Sequence, residues 1–457
     1  MTAPRMHFVS VCGMLGYGFP QESLRLSVEG PVDFLGADNG STDPGPYYLG
    51  AGTSFLKPTQ VRRDLELALL AARSRNVPLV IGSAGGSGAA PHVASFVEVL
   101  REIAARRNLH FRLAVIHADI DRQVALDALQ RGKITPCGPS GPLTPEKIAA
   151  CTHLVGQMGT GPLIQALQQG ADVVVAGRCC DTAIFAAMPI MRGFDPGLAM
   201  HLGKIAECGT LCARPGGAND VLMCELAQDH FVVRPANPQK SCTPDSVAAH
   251  SLYEQPDPNC FYEPEGKVDL SACTFEPCGE RGVRVAGTRL IPPTRPTIKL
   301  EGASLKGYRC VTVAGARDPA LIAHLDEWEA AVRKAVADNL VGVLREPNYT
   351  LRFLRYGLDG VIGRRAGQTS PQDLPAEVGL VLEAIAPSQE LADTVLSLAR
   401  STALHQPFTG RKTTAGNLAF PFSPSDLRGG AVYEFTVYHL METDEPDALF
   451  PITLEQV

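Results

Sequence analysis

One stretch constrains the fold more than any other: Gly170-Ala171-Asp172-Val173-Val174-Val175-Ala176-Gly177-Arg178-Cys179-Cys180-Asp181-Thr182. An unbroken apolar run of this kind is what a strand buried on both faces of a parallel sheet requires. It ends at a glycine and then delivers arginine, aspartate and threonine together. Groups just past the end of such a strand lie at the carboxyl edge of the sheet, where open α/β folds bind ligands. Arg178 and Asp181 therefore read either as part of a site or as an ion pair capping the next helix.

The same rhythm recurs through the first 190 residues. Val32–Gly36, Val77–Ile81 and Leu113–Ile116 read as further strands. Each is followed by an amphipathic segment: one from Thr59, one opened by Pro91 and one stopped by Gly132. A short helix at 162–169 leads into the strand at Val173. Alternation of this kind predicts an α/β domain over residues 1–215, with a mostly parallel sheet flanked by helices. Over 216–300 the periodicity dissolves into proline, glycine and polar residues, and a loop-rich β section is expected there. Residues 301–457 return to an order of β-α-β-β-α-β, which predicts a C-terminal α+β domain of ferredoxin-like, split βαβ type.

Composition narrows the function classes. A chain of 457 residues with 45% hydrophobic and 19% charged residues is globular. Its net charge of −7 and the absence of a basic block argue against a nucleic-acid surface. No apolar run reaches the roughly 18 residues of a membrane span, and the first residues carry no signal-peptide pattern. The 13 cysteines are scattered without paired metal-binding spacing, so a reducing cytoplasm is the expected compartment.

Four strand-end loops should converge at one sheet edge. They carry Asp38 and Asn39 with Asp43; Ser83, Gly85, Gly86 and Ser87; His117 and Asp119; and Arg178, Asp181 and Thr182. The glycine-rich loop lies ahead of a helix and suits a carboxylate or phosphate, although its spacing is neither that of a P-loop nor that of a dinucleotide fingerprint. It reads equally as a flexible turn. Lys204 and Glu207 share a helix face and supply a second acid–base pair, unless they form a surface ion pair. Arg411 and Asn417, in a polar C-terminal loop, are further candidates for an anionic group. No metal ligand set is assigned. Mg²⁺ remains an option through Asp38, Asp43, Asp119 and Asp181, but nothing in their spacing demands it.

Taken together, GADVVVAGRCCDTAIFAAMP and KIAECG resemble the acyclic terpene utilisation (AtuA) family, whose members show a GADIV-x-x-GR-x-x-D segment and a nearby ECG. FLGADNGSTD and LVIGSAGGSG fall at that family's acidic loop and glycine-rich turn. TPDSVAAHSLYE, IKLEGASLKGYR and GNLAFPFSPSD resemble its shorter branch, in which a small separate protein is often encoded alongside. The longer branch has histidine where this chain has Lys204 and asparagine where it has Ser83, so no residue role is carried over. The resemblance implies catabolism of branched or terpenoid acids and a possible small partner protein.

The resulting expectation is a cytoplasmic, homo-oligomeric catabolic enzyme. It would be a lyase or hydratase acting on a small carboxylic acid or its acyl thioester. Arg178 and the glycine-rich loop would hold the anion, and Asp181 or Glu207 would remove a proton. Lys204 or His117 would stabilise the enolate or protonate the leaving group. The opposing expectation is a non-catalytic binding subunit that works with the small partner.

Overall fold

The computed structural model describes residues 4–345, 347–363 and 374–457. By contact the chain forms two units, Met1–Ser304 with Phe435–Val457, and Leu305–Glu434.

The first unit is built on a sheet whose centre holds Met6–Ser10, Phe34–Asp38, Leu79–Gly82, Val173–Ala176 and Arg112–Ile116, side by side in that order. Each neighbouring pair is parallel. The α/β class and the parallel-rich sheet expected from the alternation are thus present. Side chains along these strands alternate between two apolar cores, with Leu79, Ile81, Val173 and Val175 in one and Val80, Val174 and Ala176 in the other. Burial on both faces is why these strands read as continuous apolar runs.

Antiparallel strands extend this sheet on both sides. Leu222–Leu226, His230–Pro235, Gly282–Ala286 and Thr274–Cys278 follow from Met6–Ser10, and Ile452–Gln456 covers Arg112–Ile116. The proline-rich stretch therefore contributes four strands to the main sheet. It also forms the whole of a three-stranded sheet of Cys260–Glu263, Gly266–Asp269 and Arg289–Ile291.

One boundary shift matters for the site. The strand read at Val32–Gly36 runs over Phe34–Asp38. Asp33 uses its carboxylate to accept the His7 N–H at 2.8 Å, and the ladder begins after it. Asp38 is consequently the last residue of its strand rather than a loop residue beyond it.

The second unit contains Thr350–Tyr356, Val378–Ala386, the later part of Thr297–Ala316 and the earlier part of Asp426–Glu442 as adjacent strands. Pairing of Val378–Ala386 with both Thr350–Tyr356 and Thr297–Ala316 is antiparallel. Helices Leu325–Asn339 and Gln389–His405 bury Trp328, Val332, Val395 and Leu396 in its core. Asp318 caps the short helix Pro319–Ala323, accepting the Ala320 N–H at 2.8 Å. Among the described residues no helix is long and apolar enough to cross a membrane.

Candidate active site

Because the central strands are parallel, the loops after Asp38, Gly82, Ala176 and Ile116 all leave the sheet at one edge. Much of this edge is backbone packed on backbone. Gly88 accepts the Arg178 N–H at 3.2 Å, and Asn39 donates its amide to the Leu15 carbonyl at 2.8 Å while accepting the Gly85 N–H at 2.6 Å. Asn39 is thus a tie between loops.

Arg178 is buried and faces an acid that sequence spacing does not reveal. Its Nε donates to Glu301 Oε2 at 2.8 Å and its Nη2 to Oε1 at 3.4 Å. Its Nη1 reaches Ser83 Oγ and the Cys179 carbonyl, each at 3.3 Å, and lies 3.6 Å from Asp181 Oδ1. Lys299 adds a second cation, with Nζ 2.9 Å from Glu301 Oε1. Burial alone would push the fully buried Glu301 carboxyl up, but Arg178 and Lys299 overcome that and hold it down at about 2. The guanidinium fork expected to clamp a substrate carboxylate is therefore occupied by Glu301. Arg178 thus ties Ser83 to Glu301 by hydrogen bonds and lies beside Asp181.

The second cluster centres on Lys204 and Glu207, at the end of helix Pro196–Ala206. Neither is a surface residue: both are buried, and Lys204 Nζ donates to Glu207 Oε1 at 2.6 Å. Glu254 Oε2 lies 3.7 Å from the same ammonium, and the Tyr253 ring centroid lies 5.8 Å from it. Burial opposes charge on Lys204, but Glu207 outweighs it and holds the ammonium above its ordinary value. Glu207 is pushed up to about 8 by burial, with Asp181 and Glu263 adding to the shift against the pull of Lys204. Burial likewise raises Asp181, opposed by Arg178, Lys204 and Lys299, and it raises Asp38, where the Asp181 charge adds to it. About a third of the Asp181 side chain is open, yet its Oδ1 is buried and has no hydrogen-bond partner among the described residues.

Neighbours fix this arrangement. Glu263 accepts Thr182 Oγ1–H at 2.8 Å and Cys180 Sγ–H at 2.7 Å, so Thr182 is spent on orienting a carboxylate. Burial raises the Cys208 thiol, as does Glu207, which leaves it protonated and unsuited to nucleophilic attack.

Not every expected residue joins this group. In the glycine-rich loop the N–H groups at Ser83, Ala84, Gly85 and Gly86 are taken up within the protein, by Gly177 O, Ala176 O, Asn39 Oδ1 and Ser83 O. Ser87 Oγ and Asp119 Oδ2 are buried without hydrogen-bond partners among the described residues. His117 bonds through its backbone to Pro451 O at 3.0 Å, and among the described residues no hydrogen bond or ion pair links its ring to the acidic groups. Arg411 and Asn417 belong to the second unit, where both tie down their own loop. Arg411 donates to the carbonyls of His405 and Ala415, and Asn417 to those of Ala403 and Gln406. Among the described residues no three His, Cys, Asp or Glu side chains gather to hold a metal ion, so Asp38, Asp43, Asp119 and Asp181 do not form the Mg²⁺ ligand set. Glu301, Lys299, Glu263 and Tyr253 are the participants that sequence reasoning missed. Three of the four lie where strand and helix periodicity is weakest, and only the motifs IKLEGASLKGYR and TPDSVAAHSLYE pointed towards some of them.

A parallel-rich sheet flanked by helices, with buried acids beside a buried lysine, defines an α/β protein. The family model described as acyclic terpene utilisation family protein AtuA matches residues 57–419, and the chain belongs to that family. Membership implies a catabolic role in acyclic terpene utilisation. No curated protein and no solved structure gives a match.

Proposed function

We propose that the protein is a catabolic lyase or hydratase acting on a small carboxylic acid or its acyl thioester by general acid–base chemistry. The observation that carries this reading is the buried Lys204–Glu207 pair, joined at 2.6 Å and electrostatically coupled to Asp181. Asp181 takes the proton alpha to the carbonyl, and its raised affinity for a proton brings it closer to neutral pH. Lys204 faces the negative charge that develops on the enolate oxygen. Glu207, whose affinity for a proton is raised by burial, delivers one to the departing hydroxyl, so loss of water leaves a carbon–carbon double bond. Addition of water runs the same steps in reverse. Arg178, Ser83 and Asn39 hold the loops in register. The strand and helix order of the second unit supports a ferredoxin-like domain, and a small separately encoded partner completes the assembly.

The test is uptake of deuterium from D₂O at the alpha carbon of short acyl-CoA thioesters and their free acids, followed by mass spectrometry with and without the small partner. Exchange by the wild-type protein should fall by about 100-fold or more in Asp181→Asn, the range for losing a general base. A wild-type protein that exchanges no proton in any of these compounds, with partner added, removes the reading.

A further inference from the structure

The histidine beside the Lys204 cluster is His250, which lies on helix Pro244–Ser251. Its side chain is 6% exposed. The imidazole stacks on Tyr253, with ring centroids 5.5 Å apart and planes within 17°. Tyr253 in turn places its ring 5.8 Å from Lys204 Nζ, and Tyr253 is 43% exposed. Imidazole, phenol ring and ammonium therefore form one continuous wall running into the acid–base cluster. His250 Nε2 is buried and has no hydrogen-bond partner among the described residues.

That combination is unusual for a packing residue. A buried polar atom without a partner is costly, and native folds keep few of them. Burial, with the Lys204 charge added, pushes the imidazole down to about 4, so the ring is neutral at physiological pH and does not repel the ammonium. A neutral ring nitrogen offers one hydrogen bond, and the stacked pair offers a flat, partly open π surface. Together they suit a planar unsaturated acyl group that lies against the phenol ring, with its oxygen turned inwards.

We propose that His250 is a substrate-contacting residue of the Lys204–Glu207 site, hydrogen-bonding through Nε2 to an oxygen of a planar acyl group that lies against Tyr253. The inference rests on reading that site as one for acids or their thioesters. It assigns to His250 the place that the sequence alone gave to His117, and it adds a preference for flat, conjugated acyl chains over saturated ones.

The experiment uses the full chain with crotonyl-CoA as the probe and butyryl-CoA as its saturated counterpart. Affinity is measured by calorimetry, and the imidazole signals are followed by NMR after histidine-selective ¹⁵N labelling. Crotonyl-CoA should bind more tightly than butyryl-CoA and should move the His250 Nε2 resonance. His250→Phe keeps a ring for Tyr253 and removes the nitrogens. It should weaken crotonyl-CoA binding by about tenfold, the equivalent of one hydrogen bond. Its melting temperature should hold or rise, because an unpaired polar atom has been removed. Glu207→Gln, which removes the proposed proton donor but leaves His250 and Tyr253 in place, should still show the His250 shift. Equal binding by wild type and His250→Phe with an unmoved Nε2 signal overturns the inference and leaves the acid–base reading standing. A lowered melting temperature with undiminished binding also overturns it, by showing a packing role. A wild-type protein that binds neither thioester overturns the inference, and deuterium exchange into the free acids then decides the acid–base reading separately.

Discussion

Replacing Glu301 by glutamine would leave Arg178 and Lys299 without the carboxylate they share, and only Asp181, 3.6 Å from Arg178, would remain beside the guanidinium. Removing one partner of a buried ion pair typically costs about 3–5 kcal/mol. Glu301→Gln should lose stability on that scale in urea titrations, and an unchanged midpoint would show that the pair is solvated. The wild-type carboxyl sits at about 2 against an ordinary 4.5, so its contribution is complete above about pH 4.5 and is lost as pH falls towards 2. Glu207 has the opposite sign. Its folded value of about 8 lies above 4.5, so the folded state holds the extra proton, and stability falls as pH rises from about 4.5 to 8. Glu207→Gln should flatten that slope while blocking loss of water from the substrate. A slope unchanged in the variant would place the titration elsewhere. At this scale the sequence exposes Arg178 and Asp181, because a strand end and three residues of spacing bring them together. It cannot show Glu301, which lies 123 positions from Arg178 and meets it only through the sheet. Nor does it show His250, which lies in the stretch where periodicity dissolves.

Among the elements, the strand ends owe their convergence to glycines that permit backbone contact. A Cβ on Gly88 would lie 2.0 Å from the Arg178 nitrogen, and one on Gly40 would lie 1.8 Å from the Gly86 oxygen. Neither neighbour is a flexible side chain that can move aside. Gly88 also has φ of +68°, so alanine there meets both a clash and an unfavourable conformation. Gly132 has nearly the same φ, +67°, and nothing within 4 Å of its Cβ position. Gly132→Ala should therefore cost only about 1–2 kcal/mol, the penalty of the left-handed conformation. Gly88→Ala should cost several times that or prevent folding, as read by thermal melts of the two variants. Equal losses would mean that the loop is loose. The glycine-rich segment was legible as a special turn, but its purpose was not. Free N–H groups and N–H groups bonded to neighbouring loops look identical in a sequence. The helices at Pro58–Arg75 and Ala90–Arg107 were legible because one apolar face repeats along each, and Pro91 opens the second.

Across the whole chain, the first unit depends on residues that are remote in sequence. Phe435–Val457 belongs to it even though Leu305–Glu434, a separate unit, intervenes. Local patterning reads 301–457 as one continuous tract, because no single window shows that the last strand pairs with Arg112–Ile116. That strand, Ile452–Gln456, covers the edge of the parallel core, and exchanges between Phe111 and Val457 close its end at 3.0 and 3.1 Å. The His117 N–H also points to it, donating to Pro451 O. Strand alternation then directs the N–H groups of Leu113 and Val115 to the same side, while Ala114 and Ile116 face the opposite neighbour. Deleting residues 451–457 should accordingly raise hydrogen exchange at Leu113 and Val115 by orders of magnitude and spare Ala114 and Ile116. The Val378–Ala386 strand pairs within the second unit and should keep its protection. The loop carrying His117 and Asp119 would also lose the bond that anchors its start. If Leu113 and Val115 stay protected after the deletion, the C-terminal strand is not what holds this edge of the site.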